Sequence, residues 1–420
     1  MIRRSEPRLR VLLHGKHVAD LRQTRRGLTL TYREEVTSSL GVGALCLSVA
    51  LPVATRAYQG DLVLNWCEGL LPEGEMRTTL EQHFAVRRGD TFSLLAVLGR
   101  DCAGAVSFSG DDEAATRTGQ TTTTLSPDEL ADAVTALPQR PLGVDDQVRA
   151  SLGGLQAKLL LVRTDHGWAR PISGTPSTHI LKPDPRDLAR PGLVVSEALT
   201  MRAAALAGIT SAAVELVSIG GQRVIVVERY DRRVTAHGVT RVHQEDGCQA
   251  LGVDPSGPNK YQSQLPTAPS FARLAQVLVD HALGIDGELV RLGEAMTVNV
   301  AVGNADGHAR NHSFLLADGV LRLAPLYDVA STFPFVNASQ LGLWVDDQPY
   351  LRYVTRGHLV REMRRWGMTK AASTDTVERT LTGLCDSLEL AAGELGSVVD
   401  EPLLAATREH IDRVIATARG

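Results

Sequence analysis

The sequence predicts an α+β protein with a strand-rich N-terminal part and a mostly helical C-terminal part. Three observations carry that expectation. Between residues 8 and 51, the runs RLRVLL, HVADL, LTLTY and LCLSVAL alternate apolar and polar positions between turn residues, as in a small antiparallel sheet. A second set of strand-like runs, LLLV, THILKP and the hairpin AAVELVSIGGQRVIVVERYDR, lies between residues 159 and 232. From 243 onward, HQEDGCQALG, FARLAQVLVDHAL and ELVRLGEAMTVNVAV have helical spacing. Helical runs resume after Asp328 and continue to the end of the chain.

Taken in order, the first sheet is followed by the helical runs LVLNWCEGLL, MRTTLEQHFAV and FSLLAVLG. The strand-like AGAVSF then closes a first domain over residues 1–108. Residues 109–125 are polar and low in complexity, which predicts an exposed linker. Ser126-Pro-Asp-Glu129 predicts a helix start, with Ser at the N-cap, Pro at the first helical position and Glu at the third. Residues 126–235 then hold the second strand group and the amphipathic run VVSEALTMRAAALAGI, and residues 236–420 form the helical remainder.

A chain of 420 residues can bury two or three domain cores. Its 43% hydrophobic and 22% charged content is that of a globular protein. A net charge of −4 argues against nucleic-acid binding through overall electrostatics. The five cysteines (46, 67, 102, 248, 385) are scattered and form no C-x-x-C pair, which points to a reduced, cytoplasmic chain. No signal-like apolar stretch or membrane-length run is expected. Of 44 basic residues only five are lysines, at 16, 158, 182, 260 and 370, so a lysine at a functional-looking position stands out from the background.

The chemistry is expected within Asn299–Asp328. There an apolar helical run breaks at Gly303 into a polar loop carrying Asp306, His308, Arg310 and Asn311. A hairpin turning at Asp318-Gly319 then delivers Asp328 back toward that loop. Asp306 and Asn311 have the D-x-x-x-x-N spacing of a kinase catalytic loop, in which the carboxylate orients a hydroxyl and the amide oxygen holds a metal. Upstream, SLGGLQAK (151–158) is a glycine-containing turn of the kind whose backbone N–H groups approach phosphate. Lys182 lies in the next strand-like run and Glu197 in the following helix, the layout that sets a lysine on nucleotide phosphates and a glutamate behind it. Glu228-Arg229-Tyr230 stands where a kinase carries its adenine-binding hinge. Each motif also has a plain structural explanation, as turn residue, helix-dipole acid or edge-strand lysine. His308 and His312 have zinc-like i, i+4 spacing, but Ala309 replaces the glutamate that a metalloprotease helix needs. There is also no His-Arg before Asp306, no Phe-Gly after Asp328 and no A-P-E.

In combination, SLGGLQAK, STHILKP, VERYDR, HQEDGCQALG, NADGHARNHSFLL and LAPLYDVAST resemble the HipA kinases, toxins of bacterial toxin–antitoxin pairs. LLHGKHVADL and LLPEGEMR are similar to that family's N-terminal subdomain. The resemblance implies a bilobal, protein-kinase-like fold and a serine/threonine kinase using ATP and Mg2+. It also implies a HipB-like helix-turn-helix antitoxin that brings in DNA only indirectly, and a protein substrate, with aminoacyl-tRNA synthetases known as targets in the family. Residue by residue, it implies that Gly153, Gly154, Leu155, Gln156, Ala157 and Lys158 face the phosphates and that Lys182 pairs with them. Glu228, Arg229 and Tyr230 would hold the adenine. Asp306 would be the catalytic base, with His308, Ala309, Arg310, Asn311, Tyr327 and Asp328 lining the nucleotide pocket, and Asn311 and Asp328 would hold the metal. Ser151 would be an autophosphorylation site. Two other readings stay open from sequence: a non-catalytic HipA-like module acting with an antitoxin at operator DNA, and a metal-dependent hydrolase using Asp306, His308, His312 and Asp328.

Overall fold

The structure is a computed structural model that describes residues 6–110, 120–137, 139–143, 150–172, 174–185, 192–236, 238–317, 319–332 and 340–417. It divides into two compact units. The first comprises residues 1–181, 229–257 and 315–319; the second comprises 182–228, 258–314 and 320–420.

In the first unit, strands Arg8–Leu13, Lys16–Thr24 and Gly27–Tyr32 form the expected antiparallel meander. It is extended by Val106–Ser109 on one side and Tyr58–Gln59 on the other. Alternation buries Leu9, Val11, Leu21, Leu28 and Leu30 on one face, beneath helices Asp61–Gly69 and Thr91–Leu98. Trp66 and Phe108 meet in this core with ring centroids 6.2 Å apart.

The run LCLSVAL does not form its expected strand, because side chains take its backbone groups. Glu245 accepts from Val49 N–H at 2.7 Å and from Ser48 Oγ at 2.5 Å, and His243 Nε2 lies 2.9 Å from the Leu47 carbonyl. HQEDGCQALG is only partly helical: His243–Asp246 is a strand, and Asp246 caps the short helix Gly247–Leu251 through a reciprocal bond with Gln249.

Part of the expected linker is ordered into a sheet. Thr121–Thr124 pairs with Gly167–Ile172, a strand not expected from sequence. Residues 111–119 of that linker lie outside the described residues. The sheet continues through Leu159–Thr164 to His179–Pro183. The Ser126 capping box forms as its sequence predicts, opening the helix Pro127–Thr135.

In the second unit, helix Leu193–Leu206 is buried at every position from Val194 to Met201, so it is a core helix rather than the amphipathic one expected. Its alanines allow close packing by the long helix Lys370–Leu395 and by the hairpin Val214–Ile219/Gln222–Glu228, which turns at Gly220-Gly221. Helix Ile285–Ala301 delivers the polar loop. The chain after Asp328 is not purely helical: strands Gln340–Val345 and Gln348–Tyr350 precede helices Arg356–Arg365, Lys370–Leu395 and Glu401–Ala416. Among the described residues, no helix is long and apolar enough to cross a membrane.

Candidate active site

The polar loop of the second unit is built by amides and one threonine. Helix Ile285–Ala301 ends in Val302, and Gly303 takes a left-handed φ of 77°, turning the chain out of the helix. Asn304 donates to Asn299 Oδ1 at 2.7 Å and accepts from Asp306 N–H at 3.0 Å. Thr332 ties both ends, accepting from Ala305 N–H at 2.9 Å and donating to the Gly303 carbonyl at 3.1 Å. A single 3-10 turn, Ala309–Asn311, follows. The turn of the next hairpin at Asp318 lies outside the described residues, but the returning strand closes back, with Ala324 N–H donating to the Ser313 carbonyl at 2.8 Å.

The return leg is anchored before it reaches Asp328. Leu326 exchanges backbone bonds with Thr210 and Ala212, and Tyr327 donates to the Arg310 carbonyl at 2.6 Å and shares a 2.6 Å bond with Ser313. Asp328 sits at φ 56°, a left-handed conformation uncommon for a non-glycine residue. Ser196 and Thr200 on the buried helix donate to the Ser331 and Val329 carbonyls, which fixes the helix that carries Glu197 to the same segment.

These supports bring Lys182, Glu197, Asn311 and Asp328 together. Lys182 Nζ is 2.8 Å from Glu197 Oε1 and 2.7 Å from Asp328 Oδ1. Burial works against the ammonium, but Asp328 and then Glu197 outweigh it and hold Lys182 above the ordinary lysine range. Asn311 Nδ2 lies 3.3 Å from both the carbonyl and Oδ2 of Asp328. Glu197 is buried, whereas 47% of the Asp328 side chain is exposed, so the cluster opens to solvent on the aspartate side. Asp306 is exposed, and one of its oxygens accepts from Tyr261 Oη at 2.6 Å.

His308 is buried, with Nδ1 lacking a hydrogen-bond partner among the described residues and its ring edge-on to Tyr261 at 5.1 Å. Burial, followed by Lys260, pushes its pKa down to about 3, so the imidazole is neutral at physiological pH. His312 is also buried and packs against Phe271 at 5.3 Å, and burial pushes its pKa down to about 4. It is a core residue rather than a zinc ligand. Among the described residues, no three His, Cys, Asp or Glu side chains gather as a metal cluster.

The glycine turn and most of the expected hinge belong to the first unit. Lys158 Nζ donates back to the Gly153 carbonyl at 2.7 Å, across Gly154 at φ 108°; a Cβ there would lie 2.7 Å from that ammonium. Leu155 is exposed, and the Gly154 carbonyl accepts from Glu73 N–H at 3.3 Å. Ser151 is fully buried, with Oγ donating to the Leu70 carbonyl at 2.6 Å and N–H to the Asp101 carbonyl at 2.9 Å. The Arg229 side chain is committed to a buried ion network with Asp101 and Asp231, together with Arg232 and Ser177. Tyr230 Oη donates to Gln244 at 2.5 Å. In the second unit, Glu228 has an exposed side chain, and its N–H donates to the Ala213 carbonyl at 2.9 Å.

Tyr261, Lys260 and Thr332 were not expected at the site. Lys260 had a signal in the scarcity of lysine, whereas Tyr261 and Thr332 reach the loop only through tertiary structure.

A strand lysine held between a helix glutamate and a loop aspartate, beside a D-x-x-x-x-N loop, defines a protein-kinase-like core. The sequence profile of the HipA N-terminal domain matches residues 9–109, and that of the HipA-like C-terminal domain matches residues 150–389. The chain belongs to the HipA family. It is 37% identical over 339 residues to a protein of Sinorhizobium fredii strain NGR234 named putative kinase Y4mE, covering 79% of each chain. It is 30% identical over 292 residues to the serine/threonine-protein kinase toxin HipA of Shewanella oneidensis, covering 66% of this chain and 65% of that one. The solved structure of Shewanella oneidensis HipA, in complex with HipB and its operator DNA, has the same fold. It aligns over 97% of this chain and 96% of that chain, with a TM-score of 0.80 at 24% identity.

Proposed function

We propose that this chain is a HipA-like serine/threonine protein kinase that transfers the γ-phosphoryl group of ATP to a protein hydroxyl. The observation that carries the reading is the Lys182–Glu197–Asp328–Asn311 cluster, for which a purely structural role gives no reason to gather these groups at a solvent-facing site. In the chemistry, the acceptor oxygen attacks the γ-phosphorus, the bond from γ-phosphorus to the ADP oxygen breaks, and Asp306 receives the acceptor proton. Glu197 keeps Lys182 charged and aimed, and Lys182 exchanges its Asp328 bond for the nucleotide phosphates. Gly153 to Lys158 supply backbone donors to the phosphates, and Glu228 to Tyr230 supply the hinge. His308, as a neutral imidazole, contributes no positive charge beside the nucleotide.

Mg2+ suits the donors present. The carboxylate of Asp328 and the amide oxygen of Asn311 are hard oxygen ligands, and magnesium is commonly held by one or two protein oxygens together with phosphates and waters. When bound, the ion neutralises charge on the transferring phosphoryl group. Asn311 would hold it after its amide turns to present oxygen, an orientation that hydrogen bonding alone decides.

The same reading takes a HipB-like helix-turn-helix antitoxin as partner, with DNA contacted through it, and growth arrest through phosphorylation of a protein such as an aminoacyl-tRNA synthetase. It also takes Ser151 as a self-phosphorylation site. Phosphorylation there requires the serine to leave its buried seat on the Leu70 carbonyl, and the added charge of roughly −2 would not be accepted back. A thermal-shift titration with ATP and magnesium tests nucleotide binding. Wild type should gain stability and Lys182→Ala should lose most of the gain; an equal gain in both would remove Lys182 from the site.

A further inference from the structure

Asp306 is the most exposed member of the loop. Its Oδ1 nevertheless accepts a 2.6 Å hydrogen bond from Tyr261, which lies outside every kinase motif discussed above. Tyr261 is itself held from several sides. Its ring stands edge-on to buried His308, and Lys260 Nζ lies 5.8 Å from the ring centroid. Its N–H donates to the Pro258 carbonyl at 3.1 Å. The next residue, Gln262, donates from its backbone to the Gly342 carbonyl at 2.8 Å and accepts from Trp344 N–H through its side chain at 2.8 Å.

The strand Gln340–Val345 closes the circuit, because Gly342 N–H donates to the carbonyl of Ala305, the residue before Asp306, at 2.9 Å. Gly342 is required for that approach: a Cβ would lie 2.7 Å from the carbonyl carbon of Gly307 and 2.8 Å from His308 N. The path Ala305–Gly342–Gln262–Tyr261–Asp306 is therefore a closed ring of hydrogen bonds that grips the aspartate from both its backbone and its carboxylate.

We propose that Tyr261 is a positioning residue for Asp306, orienting its carboxylate through Oδ1 toward the acceptor hydroxyl. The inference rests on the reading of Asp306 as the catalytic base. Misplacement of a reacting group by about 1 Å costs on the order of a hundredfold in rate. Loss of one orienting bond should therefore cost roughly ten- to a hundredfold in kcat.

The test compares wild type with Tyr261→Phe, which retains the ring against His308, and with Gln262→Ala, which loosens the strap but leaves the phenol. ADP release from magnesium ATP is followed with a pooled serine/threonine peptide library as acceptor. Tyr261→Phe should lower kcat by that factor and leave KM for ATP and the ATP-induced thermal shift unchanged. Gln262→Ala should show a smaller fall in the same direction. Unchanged kcat in Tyr261→Phe would overturn the proposal. So would a raised kcat, which would make the tyrosine an inhibitory plug, or a loss of kcat matched by an equal loss of melting temperature and of ATP affinity. If wild type neither binds ATP nor transfers phosphate, the kinase reading itself fails and the positioning role falls with it.

Discussion

Replacing Glu197 with glutamine removes one charge from the Lys182 cluster while keeping its shape and one acceptor. At 2.8 Å and an effective dielectric near 20, the gross attraction between Lys182 and Glu197 is roughly 6 kcal/mol, most of it offset by desolvation of the pair. Stripping a buried charge of its partner costs about 3–5 kcal/mol. Here Asp328 remains 2.7 Å away, but it is half exposed and screened, so it compensates only in part. The expected cost of Glu197→Gln is therefore about 2 kcal/mol. For a unit of roughly 200 residues, that corresponds to a fall of about 4–8 °C in melting temperature. The variant also leaves Lys182 leaning on Asp328, which should weaken binding of magnesium ATP. Circular-dichroism melts with and without magnesium ATP read both effects. A Glu197→Gln protein that melts with wild type and keeps the full nucleotide shift would refute the arrangement, since neither the charge nor the aim of Lys182 would then depend on Glu197.

Other outcomes follow from the same geometry. Gly342→Ala should push the strand off the Gly307–His308 backbone and lower stability by about 1–3 kcal/mol in urea unfolding, with a larger proportional loss of transfer than of ATP binding. Burial pushes Glu245 up to about 8, so its stabilising contribution is full below its ordinary carboxylate range and is lost as pH rises through 8; the wild-type urea midpoint should accordingly fall relative to that of the non-titrating Glu245→Gln as pH rises from 5 to 9. His243, His308 and His312 are held near 4, 3 and 4 by burial, so the unfolded chain takes up protons first and stability from these groups is lost as pH falls below about 6.5; in the Glu245→Gln background the urea midpoint should fall between pH 7 and pH 5. Ser151→Ala should remove the phosphopeptide that maps to the glycine turn while leaving transfer to other proteins intact, and a phosphate that maps elsewhere would remove Ser151 as the site.

Much of the site was legible because its parts are local or simply ordered along the chain. Asp306 and Asn311 share one loop, Lys182 and Glu197 sit in adjacent elements, and Asp328 follows a short return, so spacing alone nominated them. The first meander was equally plain, since alternation is a period-two signal that burial enforces. The failures came where tertiary partners overrode local pattern. LCLSVAL has strand composition, but Glu245 and His243, about 200 positions away, take its backbone groups. VVSEALTMRAAALAGI looks amphipathic, yet its serine, threonine and glutamate are buried because Ser331, Val329 and Lys182 receive them. Tyr261 gave no signal at all, since its role exists only once the strand Gln340–Val345 brings Gln262 beside the loop.

The most direct test of the kinase reading is a phosphoproteome comparison of cells expressing wild type and Asp306→Asn, with both proteins shown to fold and to bind ATP. Serine or threonine phosphosites on one or a few proteins should appear with wild type and be missing with Asp306→Asn. Indistinguishable phosphoproteomes would contradict that reading, and so would wild-type-specific sites that persist in the variant.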